Sequence, residues 1–231
     1  VRREYIQKKQ NSTKKRPLGI PTFTDKLVQE VLRMILESVY EPIFSNNSHG
    51  FRPNRSCHTA LKSLKREFSG VSWFIEGDIK GCFDNIDHRV LATVINAKIK
   101  DARLIQLIWK FLKAGYMEDW QYHATYSGCP QGGIVSPILA NIYLNELDKF
   151  LEKAAKEFYK SRDRHHTPEY DKVTWQIKKV QKQLKTATGQ KKTALLQKIA
   201  QLKAVMHKTP CMSKTDKVIK YIRYADDFIL G

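Results

Sequence analysis

Tyr221-Ile222-Arg223-Tyr224-Ala225-Asp226-Asp227-Phe228-Ile229-Leu230 is an apolar run with two adjacent carboxylates at its centre. Its aromatic and β-branched residues on either side of a polar pair predict two short strands joined by a tight turn. Two ionised acids side by side repel one another, and burying them is costly without a positive partner. Two readings are open from these residues alone. The acids can form a solvated Asp-Asp hairpin turn. Alternatively they hold a hard divalent cation, since magnesium takes oxygen ligands from one or two carboxylates and leaves positions for substrate phosphates.

The charge of the whole chain points to a polyanionic ligand. The formal net charge is +18 over 231 residues. Residues 1–20 hold seven Lys/Arg against one Glu, and residues 151–220 hold eighteen against six acids, so the remainder is neutral. A neutral body with two basic regions suits nucleic acid, whose backbone is held electrostatically. A membrane is not expected as a partner. No stretch has the roughly 18 apolar residues of a span, no basic helix carries an anchoring aromatic face, and no signal-peptide pattern opens the chain. Cys57, Cys82, Cys129 and Cys211 are far apart with no CxxC spacing, which predicts reduced thiols in a cytoplasmic protein and no zinc site.

Amphipathic spacing lays out the helices. Leu27, Val28, Val31, Leu32, Ile35, Leu36 and Val39 predict a helix over 25–40 whose apolar stripe is core, stopped by Pro42. Before it, residues 1–20 read as a basic stretch, either a solvated arm or a flexible loop able to grip a triphosphate, closing in Arg16-Pro17-Leu18-Gly19-Ile20-Pro21, a loop returning into a short strand. His49-Gly50-Phe51-Arg52-Pro53-Asn54-Arg55-Ser56 reads as an irregular segment ending at an N-cap, followed by a helix turning Ala60, Leu61, Leu64 and Phe68 inward. Arg52 and Arg55 flank a turn at that helix start, where phosphate or plain solvent would suit them. Trp73-Phe74-Ile75-Glu76-Gly77-Asp78-Ile79 reads as a buried strand ending near Asp78. One helix capped by Asp87 and another from Asp101 to about Ala114 follow. Residues 121–126 look strand-like, and the Gly-rich loop at 127–133 permits close backbone approach to a ligand. Ser136 and Pro137 then open a long helix. Beyond it, Val173, Ile177, Val180, Leu184 and Leu195, Ile199, Leu202, Met206 step by fours and threes around a turn at 186–190. They predict an antiparallel helical hairpin with Lys/Gln faces, packed on the body, on RNA or on a partner, or left solvated.

Five of these stretches, in order, resemble the motifs of reverse transcriptases. Phe74-Ile75-Glu76-Gly77-Asp78-Ile79-Lys80-Gly81-Cys82-Phe83-Asp84 is similar to the first catalytic motif. Gly128-Cys129-Pro130-Gln131-Gly132-Gly133-Ile134-Val135-Ser136-Pro137 is similar to the Pro-Gln-Gly motif, and Tyr224-Ala225-Asp226-Asp227 to the Tyr-x-Asp-Asp turn. Residues 16–21 and 49–56 resemble two fingers motifs of the group II intron-encoded branch, the maturase reverse transcriptases. The resemblance implies an α+β fold of the right-hand polymerase kind. An antiparallel palm sheet would bear the acids with helices packed behind it, and the basic helical hairpin, which matches no motif of the family, would be an insertion. Fingers would occupy 1–70. The first part of the palm, with fingers elements and the Pro-Gln-Gly loop, would take 71–151, the insertion 152–217 and the palm hairpin 218–231.

The resemblance also implies an RNA-directed DNA polymerase that uses two magnesium ions. Asp78 and Asp226 would bridge the ions, the Ile79 carbonyl would complete one shell, and Asp227 would support them. Phe83 matches the family's steric gate against the sugar 2′ position. Gln131 would contact the incoming nucleotide. Arg16 with a fingers lysine would hold its triphosphate, with Lys8 the first choice and Lys9, Lys14 or Lys15 the alternatives. Arg52, Arg55 and Asn141 are candidates for template or primer contact. Implied partners are intron RNA, a primed RNA template and dNTPs, in a cytoplasmic ribonucleoprotein that assists splicing and retrohoming. The helical hairpin allows a homodimer. A non-catalytic intron RNA-binding splicing factor is an alternative, as is a reverse transcriptase of a retron, diversity-generating element or CRISPR locus. The family pattern further implies a thumb and an RNA-binding domain after residue 231 and an extension before residue 1, so the segment alone is expected to be inactive.

Overall fold

The computed structural model describes residues 1–8, 11–129, 132–159, 166–187, 189–211 and 218–231, with the side chains at 8 and 11–14 outside that description. Along the chain run β1 (Arg2–Lys8), β2 (Asn11–Ile20), α1 (Phe23–Tyr40), α2 (Cys57–Glu67), β3 (Ile75–Asp78), α3 (His88–Lys98) and α4 (Ala102–Leu112). They are followed by β4 (Tyr116–Glu118), β5 (Gln121–His123), α5 (Ser136–Phe158), α6 (Pro168–Leu184), α7 (Gln190–Lys208), β6 (Tyr221–Tyr224) and β7 (Asp227–Leu230). The chain divides into two compact units, Val1–Ala155 with Ile219–Gly231, and Lys156–Val218. Among the described residues no helix is long and apolar enough to cross a membrane.

The first unit is mixed α and β and carries two sheets. One has the strand order β2-β1-β4-β5 and the other β3-β7-β6. The basic N-terminal residues are not a loose arm. β1 and β2 form an antiparallel hairpin from Arg2↔Ile20 to Gln7↔Lys15, with a register shift at Gln7/Lys8. Pro17 sits within β2 because β2 is an edge strand, where a residue without an N–H is tolerated. The second sheet is antiparallel throughout, with β7 in the middle.

The core is helical. Leu32 and Leu36 of α1, Leu91 and Ile95 of α3, Ile108 and Leu112 of α4, and Leu139 and Ile142 of α5 form one buried cluster. Each such side chain contributes roughly 1.5–3 kcal/mol of hydrophobic stabilisation. Two apolar expectations are corrected here. On α1 the buried line is Gln29, Leu32, Leu36 and Tyr40, while Leu27 and Val31 are more than half exposed, so one flank of the stripe faces outward. Gln29 is buried because its side-chain oxygen accepts from the Ile134 N–H at 2.8 Å, just ahead of α5. The segment around β3 is not buried either. Trp73, Phe74 and Ile75 are 87%, 71% and 65% exposed, since β3 is an edge strand paired only with β7.

Side chains foreseen as helix stops and starts do that work. Ser56 and Thr59 exchange side-chain and backbone hydrogen bonds in a capping box at α2. Asp87 accepts from the N–H groups of Arg89 and Val90, and Asp101 from those of Arg103 and Leu104. The Val90 and Arg89 amides hold the Asp87 carboxyl below its ordinary value, and the Leu104 and Arg103 amides do the same for Asp101. A depressed carboxyl stabilises the fold above its unfolded value and loses that contribution as pH falls through the folded one. Asp87→Ala is therefore expected to lower the melting temperature at neutral pH by about 2–4 °C. The gap to wild type should close once the pH drops below the depressed value. A gap constant with pH would show that the carboxylate charge is irrelevant to the cap.

The second unit contains α6 and α7, an antiparallel pair as the periodicity predicts. Among its described residues Ile177, Val180 and Ile199 are the buried ones. The apolar seam is thus closed within the hairpin, while Trp175 stays 61% exposed with the Lys179 ammonium 5.1 Å from its ring centre.

Candidate active site

The acids meet through strand register. In the antiparallel β3–β7 ladder Asp78 lies directly opposite Asp227, and the Ile79 N–H donates to the Asp226 carbonyl at 3.2 Å. Asp78 and the Asp226-Asp227 pair, about 150 residues apart, are thus brought to one end of one small sheet. Tyr224 pairs with Asp227 across the β6–β7 hairpin, leaving Ala225 and Asp226 as a two-residue turn. Ala225 has φ 57°, a left-handed conformation that usually selects glycine and costs an alanine roughly 1–2 kcal/mol.

The cluster carries excess negative charge. Partial burial, followed by the charges of Asp226, Asp78 and Glu76, holds the Asp227 carboxyl above its ordinary value. Burial and then the same Asp226 and Asp78 charges push the neighbouring Cys82 thiol up, and burial pushes the Cys129 thiol up to about 12. Neither cysteine is a candidate nucleophile, because both are buried thiols kept protonated. Among the described residues no three His, Cys, Asp or Glu side chains converge closely enough to cage an ion by themselves. An open, oxygen-only and over-negative set still fits a hard divalent cation, which would draw its remaining ligands from water and phosphate. The Ile79 carbonyl already accepts from the Cys82 N–H at 3.2 Å, and its second lone pair is what a metal would use.

Phe83 lies beside this cluster on the turn after β3. Its ring is half-buried and meets Phe51 edge-on, centroids 6.4 Å apart and planes at 74°. Phe51, exposed and itself at φ 53°, was not singled out by the sequence reading. Gly128 has to be glycine. It sits at φ +84°, and a Cβ there would lie 2.6 Å from the Phe83 carbonyl oxygen, which also accepts from the Cys129 N–H at 2.7 Å. Gly132 likewise faces the Gly19 carbonyl of β2, tying the Gly-rich loop to the N-terminal hairpin. Arg16 is exposed on that hairpin, in the sheet that does not carry the acids. The side chains of Lys8 and Lys14, and Lys9 and Gln131 altogether, lie outside the described residues, while Lys15 is described and exposed.

Of the three candidates for template contact, two turn inward instead. Arg52 is 8% exposed. It pairs with Glu41 at 2.8 Å and donates to the carbonyls of Ser45 and Ser48, so the 41–48 loop takes up its guanidinium. Arg55 is half-exposed and donates to the carbonyls of Asn46 and Ser48. Asn141 is 2% exposed, donates to the Gly50 carbonyl at 2.9 Å and accepts from Arg223 at 3.3 Å. Arg52 and Asn141 thus belong to the scaffold, and a buried position on α5 is what removes Asn141 from solvent.

The least expected residue is Arg223. Its side chain is fully buried and bonded to both oxygens of Asp148, Nε at 2.8 Å and Nη2 at 2.6 Å. Burial draws its pKa down, but hydrogen bonding and attraction from Asp148 outweigh that and the net direction is up. Tyr221 donates to the same carboxylate at 2.6 Å, and burial followed by the Asp148 charge raises its phenol well above the ordinary value. An arginine inside an apolar strand next to two acids invites pairing with those acids from sequence alone. Nothing in the spacing points to Asp148.

Comparison with known proteins gives the family of the chain. Residues 6–167 match the family described as reverse transcriptase (RNA-dependent DNA polymerase). The whole chain is 60% identical to the group II intron-encoded protein LtrA of Lactococcus lactis subsp. cremoris, covering 38% of that protein. An uncharacterized 91 kDa protein in the cob intron of Schizosaccharomyces pombe is 46% identical over 94% of this chain, which covers 26% of it. The mitochondrial nuclear intron maturase 1 of Arabidopsis thaliana is 29% identical over 60% of the chain, 27% of its own length. The chain therefore spans well under half the length of these relatives.

Proposed function

Because this chain belongs to the reverse transcriptase (RNA-dependent DNA polymerase) family, we propose that it is the fingers and palm portion of a group II intron-encoded RNA-directed DNA polymerase. The observation that carries the reading is the register that sets Asp78 opposite Asp227 with Asp226 bonded beside them. In the reaction the primer 3′-oxygen forms a bond to the α-phosphorus of a dNTP as the bond to pyrophosphate breaks. Asp78, Asp226 and Asp227, with the Ile79 carbonyl, would hold two divalent ions, which when bound would supply positive charge to stabilise the transferring phosphoryl group. The protein's own part is positioning, since phosphoryl transfer asks little covalent help of it. Phe83, backed by Phe51, closes the space at the sugar 2′ position. Arg16 and a lysine of the β1–β2 hairpin hold the triphosphate, Gln131 touches the incoming nucleotide, and Arg55 lies near the template backbone.

The second unit is the surface for intron RNA, in a ribonucleoprotein that assists splicing. Exposed Trp175 with Lys178, Lys179 and Lys182 lines one concave face of α6, joining a stacking platform to phosphate-binding charge. Replacing those three lysines by alanine in the full-length protein is expected to lower the salt slope of RNA binding by about 3, roughly one per lysine. Filter binding at a series of salt concentrations reads this, and an unchanged slope would move the RNA elsewhere. The polymerase reading is tested with the full-length protein, an RNA template with annealed primer, dNTPs and magnesium. A folded, RNA-binding protein that extends no primer would refute it.

A further inference from the structure

We propose that Arg223, gripped by Asp148, is the positioning residue of the Ala225-Asp226 turn: its guanidinium fixes the Ala225 carbonyl and so sets the directions in which Asp226 and Asp227 present their carboxylates. What the turn does rests on the polymerase reading above; how it is held does not.

All five N–H donors of the guanidinium are used. Nε and one Nη2 hydrogen go to Asp148, the other Nη2 hydrogen goes to Ser48 Oγ at 2.9 Å, and Nη1 serves Asn141 Oδ1 and the Ala225 carbonyl, the latter at 2.7 Å. No edge remains for substrate, so the side chain cannot act by contacting nucleic acid. Nor is net stability a sufficient reason for it. A buried ion pair is offset by the desolvation of both charges, and apolar residues of similar volume often do as well. Apolar residues could not supply the directional donor that a buried carbonyl at the head of the turn requires.

A second segment clamps the same turn from the other side. Asn47 and His49 bond the Arg223 backbone, with Arg223 N–H to Asn47 O at 2.8 Å and His49 N–H to Arg223 O at 2.9 Å. Gly50 comes next. A Cβ on it would lie 2.3 Å from the Ala225 nitrogen, and the Gly50 carbonyl is held by Asn141. The 47–50 strand-like passage and the polar face of α5 therefore converge on one residue, Ala225, which is held in a left-handed conformation that alanine does not favour. Strain of that kind persists where its surroundings over-determine it, and here they do so one residue ahead of the acids.

The test uses the full-length protein and three variants. Arg223→Lys keeps a charge beside Asp148 but offers one nitrogen, which cannot bridge to the Ala225 carbonyl. Gly50→Ala leaves the ion pair intact and pushes on the turn directly. Leu91→Ala, in the helical core, supplies a loss of stability remote from the turn. Amide hydrogen exchange over residues 224–228 is expected to accelerate about tenfold in the first two variants and to stay at wild-type level in the third. The kcat of primer extension per folded molecule should fall by about tenfold to hundredfold in the first two, with the KM for dNTP nearly unchanged. If Arg223→Lys does not fold, Gly50→Ala decides. Exchange and kcat indistinguishable from those of Leu91→Ala would overturn the proposal. Absence of extension by wild type would instead refute the polymerase reading, and the exchange data would still decide how the turn is held.

Discussion

Asp226→Ala in the full-length protein is expected to abolish primer extension, by about a thousandfold or more, while binding to intron RNA stays near wild type. The magnitude follows from what that carboxylate is asked to do. Removing one preorganised donor from a transition-state site already costs about a hundred- to a thousandfold, and Asp226 would be one of the carboxylates holding the ions that supply charge to the transferring phosphoryl group. The fold should tolerate the change. The backbone carbonyl of Asp226, which anchors Ile79, survives the substitution, and the Asp226 side chain is not part of the apolar core. Single-turnover extension alongside filter binding separates the two effects. Extension within tenfold of wild type would place the metal ligands away from this turn.

Asp148→Ala has the largest expected effect on stability, about 3–5 kcal/mol. The substitution strands a fully buried guanidinium and leaves the Tyr221 hydroxyl without its acceptor. The double variant Asp148→Leu with Arg223→Met removes both charges and should recover much of that loss, since breaking a buried pair is far worse than replacing it. Urea unfolding of the full-length protein, with hydrogen exchange on α5 and β6 to identify the transition, measures both. A single variant as stable as wild type would mean that water or another group reaches Arg223 when Asp148 is gone.

Sequence alone made some of this legible for physical reasons. Helix positions follow from a local periodicity, and caps from one side chain reaching amides two or three residues on, so Ser56, Asp87 and Asp101 could be read directly. Adjacent acids in an apolar run announce a turn. What could not be read is which polar residue faces inward. Arg52, Asn141 and Asp148 look like surface residues in any hydropathy count, yet each is buried because a partner satisfies it, a preceding loop for Arg52 and distant segments for Asn141 and Asp148. Exposure of Trp73 and Leu27 was hidden for the converse reason: apolar patterning says that a face can be covered, not that anything covers it. The basic N-terminal residues misled in a third way, since Lys and Arg are poor strand formers by propensity. Pairing between β1 and β2 overrides that preference.

The interruption between α5 and β6 has a consequence for how the chain folds. Asp148 and Arg223 stand 75 positions apart, and α6 and α7 occupy much of the interval. Closing a longer loop is cheap, about 0.6 kcal/mol for each doubling of its length, so an insertion at this point barely taxes the equilibrium. Its effect falls on the order of events. α6 and α7 are close in sequence and can pair locally, whereas the β3–β7 ladder joins residues about 150 positions apart and is a long-range contact. The helices of the core, α1 to α5, all precede β6 and β7 in the chain, so they emerge from the ribosome before the acidic hairpin does. Asp148 loses water only as Tyr221 and Arg223 arrive to bond it, so docking of β6 without Arg223 would bury an unpaired acid.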